Sequence, residues 1–357
     1  MLVHICCAVD SHYFIEKIME EYPDEKIVCF FYDPNIHPYN EYRLRYLDVE
    51  YSCKKLGIEL IEGPYNLEQW LKNVKGMEHE PEKGDRCTVC FDDRLEVSVK
   101  KALELGHDKF TTTLLISPKK SQDKLEKIGA ELSQKYPCEF IFKDYRSGQG
   151  TQIQGQVVKE HSLYRQNYCG CLFGLTQQRD QQDKLMDEMI SPISNQILPD
   201  SIEERLELYQ KRNELEENGI PYKIIKQRFL NYRLLSGKVK LDKKTIPSYI
   251  LFYSTLRNKR MNGRVEFEKD GVSYLNRDEV KLVNLETINT YLNTNYNTTK
   301  DMILNPPKIE NELAFREKIS GSKYDISTIV IVDDIQTGKY EIEINSKLYE
   351  DVKEVII

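Results

Sequence analysis

Along the first 145 residues, short apolar runs alternate with segments whose apolar positions recur every three or four residues. That alternation predicts a parallel sheet flanked by helices. Residues 2–5, 26–32, 58–61, 110–116 and 139–142 read as strands. Phe14, Ile15, Ile18 and Tyr22 form one helical face behind the first strand, and Tyr42, Tyr46, Val49, Cys53 and Leu56 form another that Gly57 closes. Further helices are predicted by Leu67, Trp70, Leu71 and Val74 ahead of Gly76, and by Leu125, Ile128 and Leu132 behind the candidate N-cap Ser121. The expected product is a doubly wound, mostly parallel α/β domain.

The pattern then changes. Residues 176–188 are polar and rich in glutamine, too poor in apolar positions to build a core, and suit a helical exit from the first domain. A boundary follows at Ser191, Pro192, Pro199 and Asp200. Beyond it, residues 202–218 read as a helix closed by Gly219 and Pro221. Residues 264–275 alternate around Asp270-Gly271 and residues 328–344 around Thr337-Gly338, both hairpin signatures. The expected organisation is a domain over residues 1–190 and a C-terminal mixed α+β accessory domain over residues 195–357. The second shows no internal repeat and no catalytic constellation.

Composition supports two folded bodies, because 357 residues exceed the roughly 100–200 of one domain. No run approaches the roughly 20 apolar residues of a membrane span, and the start MLVHICC lacks a basic leader, so a cytoplasmic protein is expected. A net charge of -7 argues against non-specific coating of nucleic acid, though it leaves room for a local basic groove. Nine cysteines in a reducing compartment point to metal ligands or redox groups rather than disulfides. Cys29, Cys53 and Cys138 stand alone within apolar stretches and read as small buried hydrophobes.

The other six cysteines come in pairs. Cys6 and Cys7 follow the first strand directly, at the edge where open α/β sheets place their ligands. The segment resembles the pyrophosphate loop of ATP pyrophosphatases, Ser-Gly-Gly-x-Asp-Ser. Val9-Asp10-Ser11 fits, but Cys6, Cys7 and Ala8 replace the serine and both glycines that let backbone amides approach phosphate. Metal ligation in place of nucleotide binding is the expectation. Cys87 and Cys90 open a helix carrying Leu95, Val99 and Leu103, a spacing that alone suits half a zinc site, a redox dithiol or a cluster. Cys169-Gly170-Cys171 is too tight for an unstrained disulfide. Six thiolates exceed the four that saturate one zinc, whereas a cubane cluster takes four and leaves two for a second metal. Asp10 suits that second metal as an oxygen ligand, and equally suits an N-cap of the following helix.

Several stretches, in order from Met1 to Gly174, resemble the cobalamin-independent epoxyqueuosine reductases. They include His4 to Ala8, Phe31-Tyr32-Asp33-Pro34-Asn35-Ile36, Arg86-Cys87-Thr88-Val89-Cys90-Phe91, Ile116-Ser117-Pro118-Lys119, and Leu163-Tyr164-Arg165-Gln166-Asn167-Tyr168-Cys169-Gly170-Cys171. The resemblance implies an ATP-pyrophosphatase-like (HUP-like) fold carrying a [4Fe-4S] cluster and an additional mononuclear iron. It also implies reduction of epoxyqueuosine to queuosine at the wobble position of tRNA, and the two electrons this needs call for an external donor such as a ferredoxin or flavodoxin. Cys6, Cys7 and Asp10 are the expected catalytic groups, and these with Cys87, Cys90, Cys169 and Cys171 the expected ligands. Tyr32, Asn35, His37, Tyr39, Lys119, Lys120, Tyr164 and Arg165 are candidates for holding the extruded base and its phosphates. Residues 147–156 are richer in glycine and glutamine than a basic tRNA-contacting segment should be. Two other readings remain open: an ATP-dependent tRNA-thiolating enzyme of the same fold, and a zinc-stabilised RNA-binding module.

Overall fold

A computed structural model describes residues 1–190, 192–276 and 280–357, so the boundary residue Ser191 lies outside the described residues. The chain divides into two compact units. The first comprises Met1–Ile190, Arg205–Ile224 and Ile356–Ile357, and the second Ser191–Glu204 and Ile225–Val355. Among the described residues no helix is long and apolar enough to cross a membrane.

In the first unit the elements run β1 (Leu2–Ile5), α1 (Ala8–Glu21), β2 (Val28–Phe31), α2 (Tyr39–Leu56), β3 (Glu59–Glu62), α3 (Leu67–Asn73), α4 (Asp85–Glu104), β4 (Lys109–Thr112), α5 (Gln122–Lys135), β5 (Glu139–Phe140), α6 (Gly150–Glu160) and α7 (Leu172–Gln181), with most of α8 (Ile202–Glu217) following. The strands form one parallel sheet in the order β3-β2-β1-β4-β5. Chain direction across the sheet reverses between β1 and β4, the switch point where such folds leave a crevice at the strand C-termini. The loop bearing Cys6 and Cys7 leaves β1 at that point. All four β1 residues are buried. His4 is tolerated there because Thr112 Oγ1 and the Tyr32 carbonyl meet its ring nitrogens at 2.8 and 3.0 Å, and burial lowers its pKa to about 3. The expected helix signals act as read: Gly57 ends α2 in the left-handed region at φ 68°, and the Ser121 hydroxyl caps α5 at Lys124 N. Cys29, Cys53 and Cys138 are buried in this core.

The second unit is built from β6 (Ile224–Leu241), β7 (Lys244–Ile246), β8 (Ser248–Ile250), β9 (Arg260–Gly263), β10 (Val265–Lys269), β11 (Val272–Leu275), β12 (Lys281–Asn284), α9 (Leu285–Leu292), α10 (Thr299–Leu304), α11 (Ile309–Ser320), β13 (Ile329–Val332) and β14 (Tyr340–Ile356). The hairpin around Asp270-Gly271 forms as β10 against β11. The one around Thr337-Gly338 does not form. β13 lies in the sheet β10-β11-β12-β13-β8, parallel to β12, while β14 lies in the separate sheet β7-β6-β14-β9. The reason is legible afterwards. β13 is the continuous apolar run Ile-Val-Ile-Val, buried at every position as a central strand requires, and not a half-exposed hairpin arm.

Candidate metal centre

β1 delivers Cys6 into the switch-point crevice, and Cys7, with extended φ -169° and ψ 157°, is the N-cap of α1. Asp10 is therefore not the N-cap. It lies inside the first turn, with its carboxylate turned back over the loop. Cys6 Sγ stands 3.7 Å from Cys7 Sγ and 3.9 Å from Asp10 Oδ2, and one ligand atom from each of the three falls within 4.8 Å of the others. Gln154 on α6, itself buried, fixes this carboxylate by donating Nε2 to Asp10 Oδ1 at 2.9 Å and to the Val9 carbonyl at 2.9 Å. Burial raises the Asp10 pKa, while Lys120 and Gln154 pull the other way.

The remaining four cysteines meet at a neighbouring cavity. Cys87 and Cys90 reach it from the first turns of α4, and Cys169 and Cys171 from the turn before α7. That turn needs its glycine: Gly170 has φ +105°, and an added Cβ would come within 2.8 Å of Ile36. Arg45 holds the same turn, donating to the Cys169 and Tyr168 carbonyls at 3.1 and 3.0 Å while paired with Glu41. Burial pushes the Cys90 thiol up to about 12 and Cys171 up to about 11. It acts on Cys169 in the same direction, but the Lys120 ammonium at 3.1 Å, with Arg94, holds that thiol below its ordinary value.

The four-thiol cavity is lined by N–H donors. The backbone N–H of Lys83 donates to Cys87 Sγ at 3.3 Å. Asn35 Nδ2, Trp70 Nε1, Arg86 Nε and Arg94 Nε are buried on residues of this lining and have no hydrogen-bond partner among the described residues. The Trp70 indole is close enough to Cys90 to draw its thiol pKa down, but is not aligned into a bond with it. Donors without acceptors, surrounding four thiols, fit a ligand that is all acceptor. The sulfides and thiolates of a [4Fe-4S] cluster are such acceptors. Cys6, Cys7 and Asp10, two soft donors and one hard one, suit a single iron with open positions.

The two sites share walls. A cavity of about 170 Å³ extends outward from Cys6 and Asp10 past Leu114, Ser117, Gln154 and Val158, and Arg94, Lys120 and Cys169 line both it and the four-thiol cavity. Of the other residues singled out from sequence, Lys119 and Arg165 are exposed and line this outer cavity. Tyr32 is buried and stacks on Phe30 at 5.9 Å, and Asn35 faces the four-thiol cavity. His37 engages through its backbone, accepting from Tyr168 Oη at 2.6 Å and donating to the Gly170 carbonyl. Tyr39 is exposed and stacks on Tyr42. Tyr164 is buried, its hydroxyl donating to Glu41 Oε2 at 3.0 Å. Arg45, Arg86, Arg94 and Gln154 were not expected from the sequence. Arg94 was within reach, since it follows Cys90 by one helical turn.

The family model for epoxyqueuosine reductase QueH matches residues 1–177. A curated epoxyqueuosine reductase QueH of Helicobacter pylori is 41% identical over 98% of this chain and 98% of its own. The chain belongs to the epoxyqueuosine reductase QueH family. The Thermotoga maritima family member is 35% identical, with 95% of its length matched by 52% of this chain. That of Streptococcus pyogenes is also 35% identical, over 50% of this chain and 71% of its own. A solved U34-tRNA thiolase NcsA from Methanococcus maripaludis, with its [4Fe-4S] cluster, covers 60% of this chain and 72% of its own at 14% identity and TM-score 0.29, too loose a superposition to transfer anything from it.

Proposed function

We propose that this QueH family member reduces epoxyqueuosine to queuosine at the wobble position of tRNA, the last step of queuosine biosynthesis. The observation that carries the reading is the division of six cysteines into two adjoining sets, four thiols among unpartnered donors and two thiols with Asp10. Cys87, Cys90, Cys169 and Cys171 would hold the [4Fe-4S] cluster, and Cys6, Cys7 and Asp10 the additional iron. When bound, the cluster supplies electrons singly and the lone iron supplies Lewis acidity.

Removing an epoxide oxygen to leave an alkene takes up two electrons and two protons and releases water. The chain's own residues position this chemistry. Gln154 keeps the Asp10 carboxylate aimed at the two thiols. Leu114, Pro118 and Val158 give the cavity an apolar part among its charged and polar lining. Lys119 and Arg165 at the exposed lining are placed to meet tRNA phosphates. His37, through its backbone bonds to Tyr168 and Gly170, and Tyr164, through its bond to Glu41, would act from behind that surface by fixing the segment around Arg165, while Tyr32 is buried against Phe30 and Asn35 faces the four-thiol cavity. The external donor is a ferredoxin or flavodoxin, and the free thiols suit the reducing cytoplasm. The second unit, not the whole of residues 195–357, serves as an accessory body, because Arg205–Ile224 belong to the first unit and nearly the whole Thermotoga relative corresponds to about half of this chain.

Anaerobically purified protein should hold about five irons per chain. With a low-potential reductant it should convert epoxyqueuosine-bearing tRNA to queuosine, read by mass spectrometry of the nucleosides. Zinc without iron, or no conversion by iron-loaded protein, would sink the proposal.

A further inference from the structure

Four basic side chains stand among the seven expected ligands, and they differ in how their charge is met. Arg45 is paired with Glu41, and Arg94 with Asp33. Arg86 spends Nη1 on the carbonyls of Met77, Glu78 and Glu80, which are neutral. Among the described residues Lys120 has no carboxylate within ion-pair distance, and its ammonium bonds to Cys169 Sγ at 3.1 Å. It also lines both cavities. From sequence it was a candidate for tRNA phosphate, yet it turns inward where Lys119 faces solvent.

A cubane core with four thiolates carries a net charge of about -2, and each reduction step adds another negative charge. In a low-dielectric site that added charge is costly unless fixed positive groups face it. Among the described residues Lys120 and Arg86 are the two cations of this lining without a carboxylate in ion-pair distance, though Asp10 and Asp33 feel the charge of Lys120 from further off, and Lys120 is the one whose side chain bonds a ligand sulfur.

We propose that Lys120 is a positioning residue for the electron-transfer step: its ammonium, held on Cys169 between the two sites, raises the reduction potential of the iron-sulfur group. This rests on the reading of Cys87, Cys90, Cys169 and Cys171 as cluster ligands. Lys120 thereby makes the group easier to fill from an external donor, on the side that faces the substrate cavity.

The test uses the full chain, purified anaerobically, as wild type, Lys120→Met and Lys120→Arg. Iron per chain is measured first, then the potential by a redox titration followed by electron paramagnetic resonance. All three proteins should hold the same iron. At a fixed applied potential Lys120→Met should show a reduced-to-oxidised ratio about tenfold lower than wild type, equivalent to ~59 mV for one electron, and Lys120→Arg should recover most of it. A methionine variant that titrates with the wild type overturns the proposal. So does loss of iron from both variants, because Lys120 would then be building the site and not tuning it. Should only the methionine variant lose iron, Lys120→Gln, which keeps an N–H donor without the charge, takes its place in the titration. Wild-type protein without iron would instead overturn the metal reading itself.

Discussion

Arg86, Arg94 and Arg316 are buried almost equally, at 2%, 3% and 0% exposure, yet their nitrogens fare differently. In the second unit Arg316 spends all three: Nε on the Phe252 carbonyl, Nη1 on the Asp325 and Ser327 carbonyls, Nη2 on Ser254 Oγ and the Leu251 carbonyl. Glu312, one turn earlier on α11, is likewise satisfied by Tyr249, Gln196 and the Phe252 N–H. Among the described residues, Arg86 and Arg94 in the first unit leave Nε without an acceptor, and Asn35 Nδ2 and Trp70 Nε1 beside them lack one as well. Each buried unsatisfied donor costs ~1–3 kcal/mol, so four around one cavity are a poor way to build a core and a good way to receive a ligand. Burial of polar groups alone therefore says little about function. What separates the Arg316–Glu312 cluster from the four-thiol cavity is whether the protein completes the hydrogen bonds at that one place.

The largest expected effect breaks the first region. Cys87→Ala should remove the brown chromophore and the reductase activity together, measured by visible absorption and conversion of epoxyqueuosine-bearing tRNA. A colourless variant that still turns over would remove the cluster from the mechanism. The matching change in the second region, Arg316→Leu, strands several buried carbonyls and leaves Glu312 without a nearby cation. It should lower stability by ~3–5 kcal/mol in chemical denaturation while folded protein keeps its full iron. Loss of iron from the folded fraction would show that the contrast between the regions is false.

A smaller effect comes from Glu312. Burial raises its pKa to about 7, against the pull of its hydrogen-bond donors and of Arg316. The unfolded chain releases this proton near the ordinary value of 4.5. Between those values the native state binds more protons than the unfolded one, so stability is present at the acid end and lost as pH rises through about 7. The wild type should lose on the order of 2 kcal/mol between about pH 5 and pH 8, and Glu312→Gln should flatten that slope. Denaturation midpoints at the two pH values decide it, and parallel slopes would show that Glu312 is ionised throughout.

The sequence made the first unit's sheet, the loop after β1 and the cysteine pairs legible, because each is a local pattern: apolar runs, capping residues, Cys-x-x-Cys and Cys-Gly-Cys. It could not say which sulfurs face one another, since that follows from the crossing of β1, α4 and the turn before α7. Asp10 read equally as a cap or a ligand, and only the placement of Cys7 at the N-cap separates these. Residues 147–156 looked unpromising for want of basic charge, yet Gln154 within them orients Asp10. In the second unit, Thr337-Gly338 has the chemistry of a tight turn, but the unbroken apolar run of β13 places that strand in the interior of a different sheet.

The smallest effect contrasts two glycines. Gly237 on β6 is packed, since an added Cβ would fall 1.9 Å from Ile250 Cδ1. Gly155 lies within α6 beside Thr151, Gln154 and Val158 on the cavity lining, and nothing stands within 4 Å of an added Cβ. A glycine in a helix interior costs ~0.5–1 kcal/mol relative to alanine, and here no packing contact requires it. Gly155→Ala should thus stabilise the protein by about that amount, while Gly237→Ala destabilises it. If the open space at Gly155 is kept for substrate, Gly155→Phe should raise the KM for tRNA with iron content unchanged. An unchanged KM would mean that the base enters elsewhere and that the glycine is only a weak point of the helix.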